Sequence, residues 1–252
     1  MHTPLTTRFF LFLGIIILSA LPLAAKESTT DIQLWYNRLR DAVYNHDTGE
    51  GTATLYYHQA IDTVNASSLS EYRSLYWKAR IEYLFGRVKQ DFQKKKEAGV
   101  HYEQALEHIE SALHTRDFSE GYRLKSEIIS QLCYVKGFGY SLVHGPDVVP
   151  LAEKALELDP TNGKAAVILG FSKVYLPGIY GGNPKKGIEL LKQALELNGI
   201  EKDDTFNIYS SIGIAYDKLK NREKALYWLE KSLRIYPGNR FVNRDYNKIK
   251  AQ

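Results

Sequence analysis

Apolar residues along most of this chain recur at three- and four-residue intervals, the spacing that gathers them on one face of an α-helix. The pattern predicts helices near 32–46, 52–65, 69–91, 95–115, 118–140, 146–158, 162–175, 184–197, 203–219, 222–235 and 239–250. No run alternates at period two, so an all-α fold without a sheet is expected. The start of the chain departs from this pattern. Arg8 precedes an unbroken apolar run from Phe9 to Leu18, followed by small residues at Ala24 and Ala25 and a polar chain from Lys26. That order is the order of a secretory signal, and the run is shorter than the ~20 residues that span a bilayer. A cut after Ala25 is expected, although it places Leu23 where a small residue is preferred; an uncleaved anchor is the other reading.

The helical pattern repeats near the C-terminus. In a 34-residue frame from Phe206 to Asn239, Tyr209, Ile212, Gly213, Tyr216, Ala225, Leu229, Ser232 and Pro237 fall at positions 4, 7, 8, 11, 20, 24, 27 and 32. Small residues at Gly213 and Ala225 let two antiparallel helices cross closely. Tyr209, Tyr216 and Leu229 fill the space around the crossing, Pro237 ends the second helix, and Asn221 can cap its start. Weaker copies precede it. Residues 163–201 carry Leu169-Gly170 and then, after a short insertion, Gly187, Leu191, Ala194 and Gly199; residues 129–162 carry Val135, Ala152, Ala155 and Pro160. Ala53, Tyr57 and Ala60 fit a frame beginning at Leu34, and a stretched unit with Ala105, Ile109 and Ala112 lies between.

With these residues in place, the chain resembles the tetratricopeptide (TPR) family, most closely over 129–239. The resemblance implies a right-handed solenoid of antiparallel helix pairs whose first helices line a concave surface. It also implies a scaffold that binds an extended peptide or a helix rather than an enzyme. The segment from Pro177 to Pro184, which contains Gly181-Gly182, resembles an insertion in exported bacterial TPR proteins. Among these is the TPR subunit that accompanies tripartite ATP-independent periplasmic (TRAP) transporters, which usually bears a lipid-accepting Cys that this chain lacks. The expected organisation is a signal at 1–25, divergent helical repeats at 26–128, and TPR repeats with a C-terminal capping helix at 129–252.

Composition narrows the function. The net charge of +4 falls to +3 once Arg8 is removed, and the charges are scattered, which argues against a nucleic-acid partner. A single cysteine, Cys133, allows no intrachain disulfide, so stability rests on the core. His101 and His108 share a helix face but sit ~10 Å apart along it, too far to hold one metal ion. No phosphate-binding glycine loop, nucleophile elbow or paired carboxylates stand out, so neither catalysis nor a cofactor is expected; the Gly137-Phe138-Gly139 triplet follows no strand and carries no nucleotide meaning.

By the resemblance, positions 2, 5, 9 and 12 of each first helix face the groove. They hold Ser130, Cys133, Gly137 and Tyr140, then Lys164, Val167, Phe171 and Val174, then Asn207, Ser210, Ile214 and Asp217. The Lys and Asn of chaperone-type carboxylate clamps are missing at positions 5 and 9, so the groove is expected to be mostly apolar. Its occupant could be an amphipathic helix, a small hydrophobic ligand, or the chain's own C-terminal helix. Candidate partner-binding residues are Tyr140, Val167, Phe171, Val174, Ile214 and Asp217, with Tyr180, Gly181, Gly182 and Asn183 in the loop. That loop also reads as a plain turn with Asn183 capping the next helix. The expected partner is a protein or peptide, such as a transporter or envelope assembly, met in the periplasm or at the membrane.

Overall fold

The computed structural model describes residues 21–251, with side chains from Thr29 onward. The expected signal lies outside these residues up to position 20. Its last residues, 21–25, form the first turns of α1 (Leu21–Asn45). There follow α2 (Glu50–Ala66), α3 (Glu71–Asp91), α4 (Lys95–Thr115), α5 (Ser119–Lys136), α6 (Phe138–His144), α7 (Val148–Leu158), α8 (Gly163–Tyr175), α9 (Pro184–Ala194), α10 (Lys202–Lys218), α11 (Arg222–Leu233) and α12 (Arg240–Lys250). Short 3₁₀ turns at Gly145–Asp147 and Gly178–Tyr180 interrupt the series. No strand occurs among the described residues, only one isolated bridge between Asn162 and Asn198.

Successive helices pack as pairs, α1 on α2, α3 on α4, α5 on α7, α8 on α9 and α10 on α11. Close approach within pairs depends on missing side chains. A Cβ added at Gly213 would sit 2.7 Å from Leu229, one at Gly170 2.6 Å from Leu191, and one at Gly86 2.5 Å from Tyr102. The Gly86–Tyr102 contact carries the same device into the divergent N-terminal half. Four helices start under an asparagine: Asn162, Asn183, Asn221 and Asn239 accept the N–H of Ala165, Lys186, Lys224 and Val242.

Two expectations need correction. The helix predicted at 118–140 breaks at Gly137, whose φ of 82° an L side chain rarely adopts, and the chain restarts as α6. The first helix of this unit therefore begins at Ser119, and a frame drawn from Ile129 starts midway along it. The second correction concerns α12, which does not lie inside the concave surface. Its Val242 and Ile249 join a core cluster shared with α1, α2 and α3.

That cluster marks a closure that the repeat pattern does not encode. Tyr44 at the end of α1 stacks on Tyr236 beyond α11, with centroids 5.1 Å apart, and Phe206 of α10 packs edge-on to both at 5.4 and 5.3 Å. Asn207 Nδ2 donates to Tyr44 Oη, Asn239 Nδ2 to the Tyr44 carbonyl, and Tyr236 Oη to Asp41. Gly238 passes so close to the Asn45 carbonyl that a Cβ there would collide with it. The first and last units thus meet, and the helical stack forms a closed ring.

Tyr236 is fully buried, so Tyr236→Ala should cost about 3–5 kcal/mol, as for other large-to-small aromatic core substitutions. Urea unfolding checks this; a loss below ~1 kcal/mol would mean the seam is not cooperative with the rest.

Candidate functional site

Because helices alternate in direction, the first helices of the pairs, α1, α3, α5, α8 and α10, run parallel around the inside of the ring. Hydrogen bonds join these helices to one another near the N-terminal ends of α5, α8 and α10. Asn162 Nδ2 donates to Ser119 and Glu120, Tyr76 Oη to Glu120, and Arg80 reaches Glu201 across 121 residues of sequence. Together these helices enclose a chamber of about 1110 Å³.

Charged residues form its floor. Lys164 Nζ lies 2.7 Å from Glu201 and 3.3 Å from Asp204, Arg123 grips Glu120 and Glu127 at 2.5 and 2.8 Å, and Arg40 stands 3.7 Å from Asp203. The Arg80 guanidinium lies 4.1 Å from the Tyr36 ring centre and 4.6 Å from that of Trp77. The carboxylates sit where they do for a local reason. Glu201 and Asp204 form a capping box at the start of α10, and acidic groups suit the positive end of a helix.

Burial is the largest influence on the carboxyls of Asp203 and Glu120. At Asp203 it is reinforced by the neighbouring Asp204 and pushes the pKa up to about 6. At Glu120 burial is outweighed by Arg123 and Lys164, and the carboxyl is held well below its usual range. Lys164 moves up, burial being overcome chiefly by Asp204. The oxygens of Glu201, Asp203 and Asp204 lie within 4.8 Å of one another, a spacing that could hold a cation. Lys164, Arg80 and Arg40 already neutralise that trio, so ammonium and guanidinium groups stand where a metal would.

Apolar groups frame the opposite end. The C-terminal ends of the inner helices lead into α6 and into the 176–183 loop, and Phe138, Leu142, Leu176 and Tyr180 line the chamber while remaining exposed. The loop is a built turn. Gly181 adopts φ 84°, Gly182 lies against the Leu176 carbonyl, Asn183 N donates to Lys173 O at 2.7 Å, and Asn183 Oδ1 caps α9. Gly181, Gly182 and Asn183 shape the turn and do not line the chamber, while Tyr180 beside them does.

The groove positions divide by depth. Ser130, Cys133, Lys164, Val167, Phe171, Asn207 and Ser210 line the chamber. Tyr140, Val174, Ile214 and Asp217 do not. Val174 is fully buried against Gly187 of α9, and Tyr140 of α6 packs against the core cluster of α3, α4 and α5, its ring tilted 4.2 Å from that of His144. Ile214 and Asp217 sit farther along α10, beyond its chamber-lining residues. Charged side chains stand among the apolar ones of the wall, since Arg80, Arg87, Arg123, Glu127, Asp203 and Asp204 all belong to it. Arg80, Arg87, Glu120 and Arg123 lie before the clear repeat frames. The signal that could find them is charge standing on the buried side of an amphipathic stripe.

A ring of helix pairs around one chamber defines a helical-repeat protein. Residues 206–239 match the family model described as "Tetratricopeptide repeat", and they are the same 34 residues as the sequence frame. Among solved structures, a thermophilic TPR protein of Thermus thermophilus superposes with a TM-score of 0.55 at 16% identity, over 89% of this chain and 100% of that one. The TPR protein YrrB, described as having an unusual peptide-binding site, is 17% identical over 91% of this chain and 98% of its own. Its TM-score of 0.38 is too low to argue from. No curated protein matches the chain. Residues 206–239 thus carry one tetratricopeptide repeat, and the chain shares the helical-repeat fold of the Thermus protein.

Two outcomes follow from the floor. Lys164→Met should destabilise the protein by about 3–5 kcal/mol in urea unfolding, because it strips the buried Glu201 and Asp204 of a counter-charge. Asp203 has a raised folded pKa, so its ionised form weakens the fold above about pH 6 and the penalty is relieved as pH falls through that value. The Tm of the wild type minus that of Asp203→Asn should therefore rise between about pH 7.5 and pH 5; a constant difference would contradict the assignment.

Proposed function

We propose that this chain is a non-catalytic scaffold of the cell envelope that takes a segment of a protein partner into its central chamber. One observation carries the reading: α3, α5, α8 and α10 place their inner faces on a single cavity whose entrance is rimmed by exposed apolar side chains. Phe138 and Tyr180 at that rim are 82% and 69% exposed. Aromatic groups held so far into solvent cost solvation unless something covers them, and recognition surfaces are where such groups concentrate. The envelope location rests on the signal-like order of residues 8–26, and a transporter or envelope assembly would be the partner there.

A second reading has its own support. The chamber's volume is close to the upper end of the ~300–1000 Å³ range of small-molecule pockets, so a carrier of a small hydrophobic ligand would also use it. The charged floor disfavours a wholly apolar guest, which would bury those groups against hydrocarbon.

The test uses the exported protein purified with its partner from the envelope fraction. Leu142→Glu and Phe171→Glu together should weaken capture of that partner at least about tenfold, the cost of placing charge on an apolar contact. Leu142→Glu alone should leave thermal stability within ~0.5 kcal/mol of the wild type, because Leu142 is exposed. Undiminished capture by the double variant would remove the chamber from the binding surface, and co-purifying lipid without protein would favour the carrier reading.

A further inference from the structure

Buried side-chain nitrogens and oxygens almost always find a hydrogen-bond partner, and the exceptions call for an explanation. Among the described residues three such atoms lack one: Arg87 Nε, Arg123 Nε and Asp203 Oδ1. All three belong to the wall of the central chamber. Arg123 is paired with Glu120 and Glu127 through its other nitrogens, and Asp203 has Arg40 at 3.7 Å. Arg87 differs from both in forming no salt bridge among the described residues.

The position of Arg87 follows from helix geometry. It stands seven residues beyond Arg80 on α3, two turns and ~10 Å farther from the charged floor on the same stripe. Aromatic rings surround it, with the Tyr44 ring centre 5.9 Å from its guanidinium. The carboxylate one turn farther along α3, Asp91, is held instead by His46 at 3.0 Å. Across the cavity the wall carries Ser130 and Gln131 from α5 and Asn207 and Ser210 from α10, with Val167 and Phe171 elsewhere on it. Asp91 acts on the Arg87 guanidinium only from beyond salt-bridge distance and Tyr83 shares a hydrogen bond with it, so an acceptor on the guest would supply the direct carboxylate partner and the Nε contact that Arg87 lacks. Asp203 Oδ1 asks the reverse, a donor. An ionised fatty acid supplies only acceptors, whereas a polypeptide supplies carboxylates, backbone N–H groups and apolar side chains together.

We propose that the guest segment carries an acidic side chain whose carboxylate seats on Arg87, so that Arg87 sets the chamber's specificity for acidic over neutral or basic segments. The proposal rests on the chamber being the partner-binding site. Arg87 would act here as a bidentate fork placed midway up a wall of apolar, hydroxyl and amide groups, the Glu127 carboxylate being held by Arg123 on the floor.

A randomised octapeptide library displayed against the folded full chain tests it, with Arg87→Gln, Arg87→Lys and Arg87→Glu as variants. The wild type should enrich peptides with Asp or Glu at one position, Arg87→Gln should lose that preference, and Arg87→Glu should select Lys or Arg there. Replacing Glu by Gln in a selected peptide should weaken binding at least about tenfold to the wild type and less than about twofold to Arg87→Gln. The Tm of Arg87→Gln should match or exceed that of the wild type, because no salt bridge is lost; Arg87→Lys, which keeps the charge and loses the fork, serves if that variant does not fold. Acidic preference unchanged in Arg87→Gln, or absent from the wild type, overturns the role of Arg87 while peptide binding stands. Peptides enriched no better on the wild type than on the Leu142→Glu, Phe171→Glu variant overturn the chamber as a peptide site. Arg87-dependent binding of dodecanoate in place of any peptide would assign the cavity to a lipid.

Discussion

The stack of Tyr44 on Tyr236, with Phe206 set edge-on to both, is the contact on which the remaining architecture depends. Helix pairs that touch only sequence neighbours leave an open concave face in contact with water. Here the ends are joined, and the inner faces of five helices are turned toward one another. The charged residues on those inner faces are then held away from bulk solvent. Arg40, Arg80 and Lys164 are satisfied by Asp203, Glu201 and Asp204 from distant parts of the chain, and Arg123 by Glu120 and Glu127 on its own helix. The aromatic seam and the ionic floor are two consequences of one closure.

The local elements are legible in the sequence. The helix expected at 95–115 is Lys95–Thr115 as observed, and Asn183 and Asn221 cap the helices they are expected to start. Such features are written in short-range spacing and cap chemistry. Closure is not, because a contact between Tyr44 and Tyr236 leaves no periodic trace; each residue alone reads as ordinary repeat packing. The break at Gly137 has a visible sign in the Gly137-Phe138-Gly139 triplet, but helical periodicity runs through it on both sides.

The candidate site is legible in part, and depth along the helix explains which part. Positions 2 and 5 of the three frames line the chamber, Ser130 and Cys133 from the C-terminal half of α5 and the others from the start or middle of α8 and α10. Position 12 falls beyond it, and Val174 turns into the gap left by Gly187. The ionic floor leaves no mark on the repeat pattern, because the contacts that assemble it, Arg40 with Asp203 and Arg80 with Glu201, join residues far apart in sequence, and only the Arg123 pairs lie at helical spacing. The apolar lip is half visible. Tyr180 stands out by its loop, while Phe138 and Leu142 lie in a segment whose pattern is that of continuous helix.

A stack of repeats with two free ends can gain or lose a unit at either end without disturbing the interfaces that stay. A ring cannot. Gly238 fits beneath the Asn45 carbonyl only at the angle the present set of pairs delivers, so an added or deleted pair would carry the two ends past each other. The copy number of the repeat is therefore fixed by geometry. Duplication, the usual route by which repeat proteins lengthen, is closed to this chain unless the seam is given up, and diversification is directed to the lips and loops around the chamber's entrance.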